Sequence, residues 1–206
     1  MLRKFSRALI FCASVSIGAG AQAGTTSIGE VYEIIDPGSS ASSVGDRVDA
    51  TTMLFRNDDG MGMTFNTRDL RRNAPFTTWW VVFNEPQNCQ DPCACNFPDV
   101  FDPAQADAAQ TSVFWASGRV TDKFGQGVFH AQARFNELPD GEDQVLFGPG
   151  LVNPDAEVHL VTRTHGRLKH RRGKREAQLT EFNGACAPDC FDTQVSVHRS
   201  PSCQIP

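Results

Sequence analysis

The chain has 206 residues, 40% of them hydrophobic and 21% charged, enough for one domain with a real core. Its 24 acidic against 19 basic side chains give a formal net charge of -5, so the molecule as a whole has no electrostatic reason to seek nucleic acid, and no specific nucleic-acid partner is expected. No stretch approaches the roughly eighteen continuous apolar residues of a transmembrane segment.

The first 23 residues read as a secretory signal peptide. Arg3, Lys4 and Arg7 precede an apolar run over 8–19, and the small-x-small tripeptide Ala21-Gln22-Ala23 follows. Cleavage near Ala23 leaves an exported chain, 24–206, that starts at Gly24 in the periplasm or outside the cell. Cys12 follows the bulky Phe11, which does not suit a lipoprotein cleavage site, so it belongs to the leader. Removing 1–23 takes away three cations and no acid, which lowers the formal net charge to -8.

Six cysteines remain: Cys89, Cys93, Cys95, Cys186, Cys190 and Cys203. An even number in an exported chain points to disulfides with no thiol left over, and the spacing leaves their connectivity open. The rival reading is a zinc knuckle in which Cys89/Cys93/Cys95 and Cys186/Cys190 converge on one metal; the spacings are not the usual C-x2-C pairs.

Short apolar runs broken by turn residues predict β structure, with strands over 29–35, 51–55, 61–66, 77–83, 112–120, 127–135, 145–147, 157–164, 177–182 and 193–198. Asn57-Asp58-Asp59-Gly60 supplies an Asp-Gly hairpin turn, and Gly125-Gln126-Gly127 a second one that makes its flanking strands antiparallel neighbours. Both alternating faces of Thr77 to Phe83 are apolar or aromatic, so this strand is central and covered on each side. Trp79, Trp80 and Trp115 are core residues on that reading. From Asn84 to Gln110 the chain is rich in Pro, Asn, Asp and Cys and reads as a long loop tied by its cysteines, with one helical turn after Asp102-Pro103. Covering the apolar strands calls for sheet-on-sheet packing, so the predicted fold is all-β, a single antiparallel β-sandwich with a long disulfide-tied loop.

On the strand from Glu157, alternation puts Glu157, His159, Val161, Arg163 and His165 on one face, wet or lining a site, and Val158, Leu160 and Thr162 on the other. The same rule turns Val195 and Val197 inward and Gln194, Ser196 and His198 outward, and His130 sits on a third strand. Imidazoles and a carboxylate on adjacent strands suit copper or zinc, so His159, His198, His130 and Glu157 are candidate ligands; ordinary strand histidines are the alternative. Arg167, Lys169, Arg171, Arg172, Lys174 and Arg175 concentrate six cations in nine positions, on what reads as a hairpin tip. Such a patch suits an acidic polysaccharide or lipopolysaccharide, against the alternative of a solvated loop. No nucleophile elbow, phosphate loop or dinucleotide fingerprint is present.

The order of these features resembles a group of uncharacterised exported bacterial β-sandwich proteins. The likeness rests on the Asp59-Gly60 hairpin, Thr78-Trp79-Trp80-Val81-Val82-Phe83-Asn84-x-Pro86-x-x-Cys89, Ala156-Glu157-Val158-His159-Leu160-Val161 and Cys190-x-Asp192-x-Gln194. More remotely, 118–166 resembles the CHRD domain, a β module with a Gly-rich hairpin and a short His-containing strand. That module's His-x-His is replaced here by Glu157-Val158-His159. The expected function is a binding or structural module without catalytic activity; the alternative is a periplasmic copper- or zinc-binding protein using the strand histidines.

Overall fold

The segment Pro75–Phe83 contains no residue that must face water, and it forms the strand around which the rest is arranged. All nine of its residues are buried. In the computed structural model, which describes residues 24–37, 42–141, 143–186 and 189–203, it is the fourth of nine strands. The leader read in 1–23 lies outside the described residues. In chain order the strands are β1 (Thr25–Ile35), β2 (Ser43–Asn57), β3 (Gly60–Thr67), β4 (Pro75–Phe83), β5 (Thr111–Val120), β6 (Gly127–Arg134), β7 (Val145–Phe147), β8 (Glu157–His165) and β9 (Cys190–His198). Among the described residues three short α-helices accompany them: α1 (Pro98–Phe101), α2 (Pro103–Ala108) and α3 (Arg172–Thr180).

The strands form one antiparallel sheet in the order β6-β3-β2-β1-β9-β8-β4-β5-β7, curled into a half-barrel. The two sheets of a sandwich are not seen among the described residues. The hairpin expected between β5 and β6 differs for the same reason: β5 pairs with β4, β6 pairs with β3, and the two do not form a ladder. Near their joint Asp122 N–H donates to Gln126 O and Arg119 Nη1 to Val128 O. Consecutive strands thus lie toward opposite ends of one sheet, and the turn between them draws those ends together. Curling gives the inner face a partner without a second sheet, because the sheet's own far strands cover it.

Trp80, Val82, Phe76, Phe65, Phe129, Leu54 and Leu160 fill this interior. Alternation turns Trp79, Val81 and Phe83 to the outer face, where Cys89, Cys95, Ala109 and Phe97 from the 84–110 loop pack on them. The loop holds its shape by local chemistry. Asp102 caps α2 by accepting from Ala104 N–H and Gln105 N–H, and Pro103 occupies the first turn, as its sequence predicts. Buried Asp99 accepts from Gln90 N–H and Asn96 N–H. Between β2 and β3, Asn57 Oδ1 accepts from Asp59 N–H and Gly60 N–H, and Gly60 takes a φ of 150° open to glycine.

Three cysteine pairs lie at disulfide distance. Cys89–Cys95 closes a small ring in the loop, Cys186–Cys190 another before β9, and Cys93–Cys203 ties the loop to the C-terminal segment. The strand expected over 177–182 is instead the end of α3 and the turn after it.

Candidate functional site

Strand β8 carries most of the ionisable chemistry, and its neighbours determine which way each group faces. Directly paired residues of an antiparallel ladder share a face. Val158 pairs with His198, and His159 with Val197 and Val81. His198 therefore points into the half-barrel and His159 to the outer face. This corrects the shared metal site: His159 and His198 stand on opposite faces of the sheet and cannot approach one ion. His130 is exposed on β6, beside Thr64 at 3.0 Å, apart from both. The orientation read for β9 is likewise corrected. Gln194, Ser196 and His198 are buried, while Val195 and Val197 join the outer-face cluster.

Inside, His198 is held at both nitrogens. Nδ1 lies 2.8 Å from Ser27 Oγ and Nε2 2.8 Å from Thr52 Oγ1, which is 2.5 Å from Ser196 Oγ. Gly29 makes room for this group, since a methyl there would lie 2.4 Å from Ser196 Oγ. Burial, with the charges of Arg56 and His159, pushes the His198 pKa down to about 4, so the ring is neutral at ordinary pH.

The outer row of β8 was expected to be wet or to line a site; it is not wet, since all nine residues of the strand are buried where the 84–110 loop and the segment after α3 cover that face. Glu157 Oε1 takes hydrogen bonds from His159 Nε2 at 2.8 Å and Arg199 Nη1 at 2.6 Å. Glu157 Oε2 is buried with no partner among the described residues. His159 also meets Phe83 edge-on at 4.9 Å and lines a cavity of about 80 Å³ with Trp79, Phe97, Phe147 and Phe182. Asn96 and Asp192 are the other polar residues that line it.

Four residues beyond His159, Arg163 is fully committed. It pairs with Asp192 at 2.8 Å, donates to Phe182 O at 2.8 Å and stacks on the Phe182 ring at 3.8 Å. At the strand end His165 is completely buried, with Nε2 2.8 Å from Thr77 Oγ1 and Nδ1 3.3 Å from Cys186 Sγ. Its pKa is pushed down to about 4 by burial and by the Arg163 charge, so it too is a neutral imidazole. His165 Nδ1 or Nε2 and the sulfurs of Cys186 and Cys190 all lie within 4.8 Å of one another. The two cysteine groups imagined as one zinc knuckle do not converge: Cys93 pairs with Cys203, and Cys89 with Cys95. The imidazole beside Cys186 and Cys190 was not legible from spacing, because it requires the pairing of His165 with Cys190 across β8 and β9.

The basic segment is a loop and the start of α3, not a hairpin tip. Arg167, Lys169, Arg171, Arg172, Lys174 and Arg175 are all exposed, and none joins an ion pair among the described residues. Beneath them Gln178 is fully buried. Its amide nitrogen donates to His165 O and Arg167 O, and its oxygen accepts from Lys169 N–H. One buried glutamine thus fixes the backbone from which the cations project.

No family model, curated protein or solved structure matches this chain. Among the described residues no helix is long and apolar enough to cross a membrane.

Proposed function

We propose that the chain is exported by its leader and works in the periplasm or outside the cell as a binding module, without catalysis, for an anionic polymer such as an acidic polysaccharide or lipopolysaccharide. The observation that carries this reading is the electrostatics of α3. Its N-cap is Arg171, no acidic residue stands in its first turn, and Arg172, Lys174 and Arg175 crowd the end where the backbone dipole is already positive. Each cation there opposes the dipole and its neighbours. An anionic chain laid across the segment removes both penalties, and the rest of the exported chain, with 10 basic against 24 acidic side chains and so a formal charge of -14, rejects that same ligand, which confines binding to this patch. The likeness to the CHRD β module is compatible with a binding role.

The test uses exported protein whose mass shows a start at Gly24. Wild-type protein is expected to be retained on heparin and to bind lipopolysaccharide, both falling steeply with salt as the screening length shrinks to about 8 Å at physiological ionic strength. Replacing Arg171, Arg172, Lys174 and Arg175 with Ser is expected to weaken binding at least tenfold, since each cation near an anionic surface contributes up to about 1 kcal/mol. Equal retention of the two proteins sinks the reading.

A further inference from the structure

We propose that His165, Cys186 and Cys190 form a zinc site that becomes available when the Cys186–Cys190 disulfide is reduced. The geometry comes from three elements. His165 ends β8, Cys190 opens β9 directly opposite it, and Cys186 is brought back by a turn in which Asp189 N–H donates to Cys186 O at 2.7 Å. The opposition of His165 and Cys190 depends on a one-residue irregularity. Up to Thr162 the ladder runs in one register, Thr162 facing Gln194; from Arg163, which faces Asp192, it runs one residue shorter. Without that bulge at Thr193, His165 would stand opposite Phe191. Bulges re-aim side chains in this way. Gly166 lets the covering turn close, because its φ is 69° and a methyl there would lie 2.8 Å from Asp189 Cβ.

The imidazole is oriented as a ligand is. Trp79 Nε1–H donates to Thr77 Oγ1 at 2.8 Å, and the same hydroxyl lies 2.8 Å from His165 Nε2. His165 Nδ1 faces Cys186 Sγ at 3.3 Å, and in the tautomer with its proton on Nε2 the Nδ1 lone pair is turned to that sulfur. Two ligands of one tetrahedral zinc, with Zn–S near 2.3 Å and Zn–N near 2.1 Å, stand about 3.6 Å apart. The imidazole and one sulfur are therefore already within a few tenths of an ångström of the required spacing. The Gln178 bond to His165 O holds the backbone of the same ligand.

The chemistry balances as follows. A dithiol reductant passes two electrons and two protons to the disulfide, becoming a disulfide itself and leaving thiols at Cys186 and Cys190. Zinc then displaces both thiol protons to solvent and binds two thiolates and one neutral imidazole. The site so formed is neutral overall, the condition that burial favours; a monovalent ion would leave a negative charge beside the apolar outer-face core. Reoxidation by a protein disulfide reverses the sequence and expels the ion. While the disulfide is intact both sulfurs are committed to each other, and the site is closed.

The experiment titrates Zn(II) into the whole exported protein against a competing chelator, before and after anaerobic reduction by a phosphine that is then removed. Reduced wild-type protein is expected to take one equivalent at least 100-fold more tightly than the oxidised protein. The variant C186S/C190S, reduced identically so that its other four cysteines are free, is expected to lack that site. The His165→Ala variant should bind at least tenfold more weakly, and the X-ray absorption of its zinc should lose a nitrogen neighbour. Its fold is checked in the oxidised state by near-ultraviolet circular dichroism. If reduction loosens the wild-type fold, zinc is expected to restore that spectrum in wild type and not in C186S/C190S. Absence of one tight equivalent in reduced wild type, equal affinity in C186S/C190S, or an unchanged His165→Ala overturns the proposal.

Discussion

A single ring, His198, shows how burial in the half-barrel becomes a dependence on pH. Its folded pKa of about 4 lies below the ordinary value of 6.5, so between those limits the unfolded chain binds a proton that the native state refuses. The stability it contributes is present above pH 6.5 and is lost as pH falls toward 4. At about 1.4 kcal/mol per pKa unit the loss comes to roughly 3 kcal/mol. Urea unfolding of wild type and His198→Gln across this window should give a difference that is flat above pH 7 and shrinks toward pH 4. A difference independent of pH would mean that His198 binds its proton equally well in the folded and unfolded states. Identifying His198 as a strand residue needed only the period of two in its sequence. Its direction needed the register with β8, and a slip of one residue reverses every side chain on a strand. That is why the metal set of His159, His198, His130 and Glu157 was plausible on paper and is divided by the sheet.

Among the elements, those with alternating or fully apolar patterns were legible within a few residues: β3, β4, β5, β7 and β8 all sit where their runs of side chains put them. The α2 cap was legible too, since Asp102-Pro103 is a local signal. Helix α3 was not. Its sequence is polar on nearly every side, so it has no apolar stripe to betray a period of 3.6, and its stability comes from what it touches. One tight contact is with β5: a methyl group on Gly118 would lie 1.8 Å from Leu179 O, while Trp115 Nε1 donates to that same oxygen at 2.9 Å. The Gly118→Ala change cannot be absorbed by a side-chain rotation, because the obstacle is backbone. It should push α3 off the sheet, break the Trp115 bond and cost about 1–3 kcal/mol, the usual range for overpacking. Hydrogen exchange should speed up in 177–181 with β1 to β3 unchanged. A variant as stable as wild type, with α3 equally protected, would show that the helix can move away without loss.

At the scale of the whole molecule, the half-barrel brings chain-distant strands together. β1 lies beside β9, and the turn between β5 and β6 draws opposite ends of the sheet toward each other. The apolar runs announced that both faces are covered; whether a second sheet or the curl of the first does so depends on long-range pairing that no local pattern encodes. The Cys93–Cys203 pair is the covalent counterpart of that organisation. It spans a sequence separation of 110 residues, against 6 for Cys89–Cys95. On the chain-entropy model these closures contribute about 4.8 and about 2.2 kcal/mol at 25 °C, because the longer ring removes more freedom from the unfolded chain. The two pairs also act on different things: one shapes the loop that covers Trp79 and Val81, while the other ties that loop to the segment following β9. Replacing Cys93 and Cys203 together with Ser should therefore cost about 2–3 kcal/mol more than replacing Cys89 and Cys95 together with Ser, as read from urea midpoints on otherwise oxidised protein. Thiol titration of each denatured variant should find no free cysteine, which establishes that the remaining pairs formed. Equal losses in the two variants would place the stabilisation in local packing of the loop instead of in closure of the long ring.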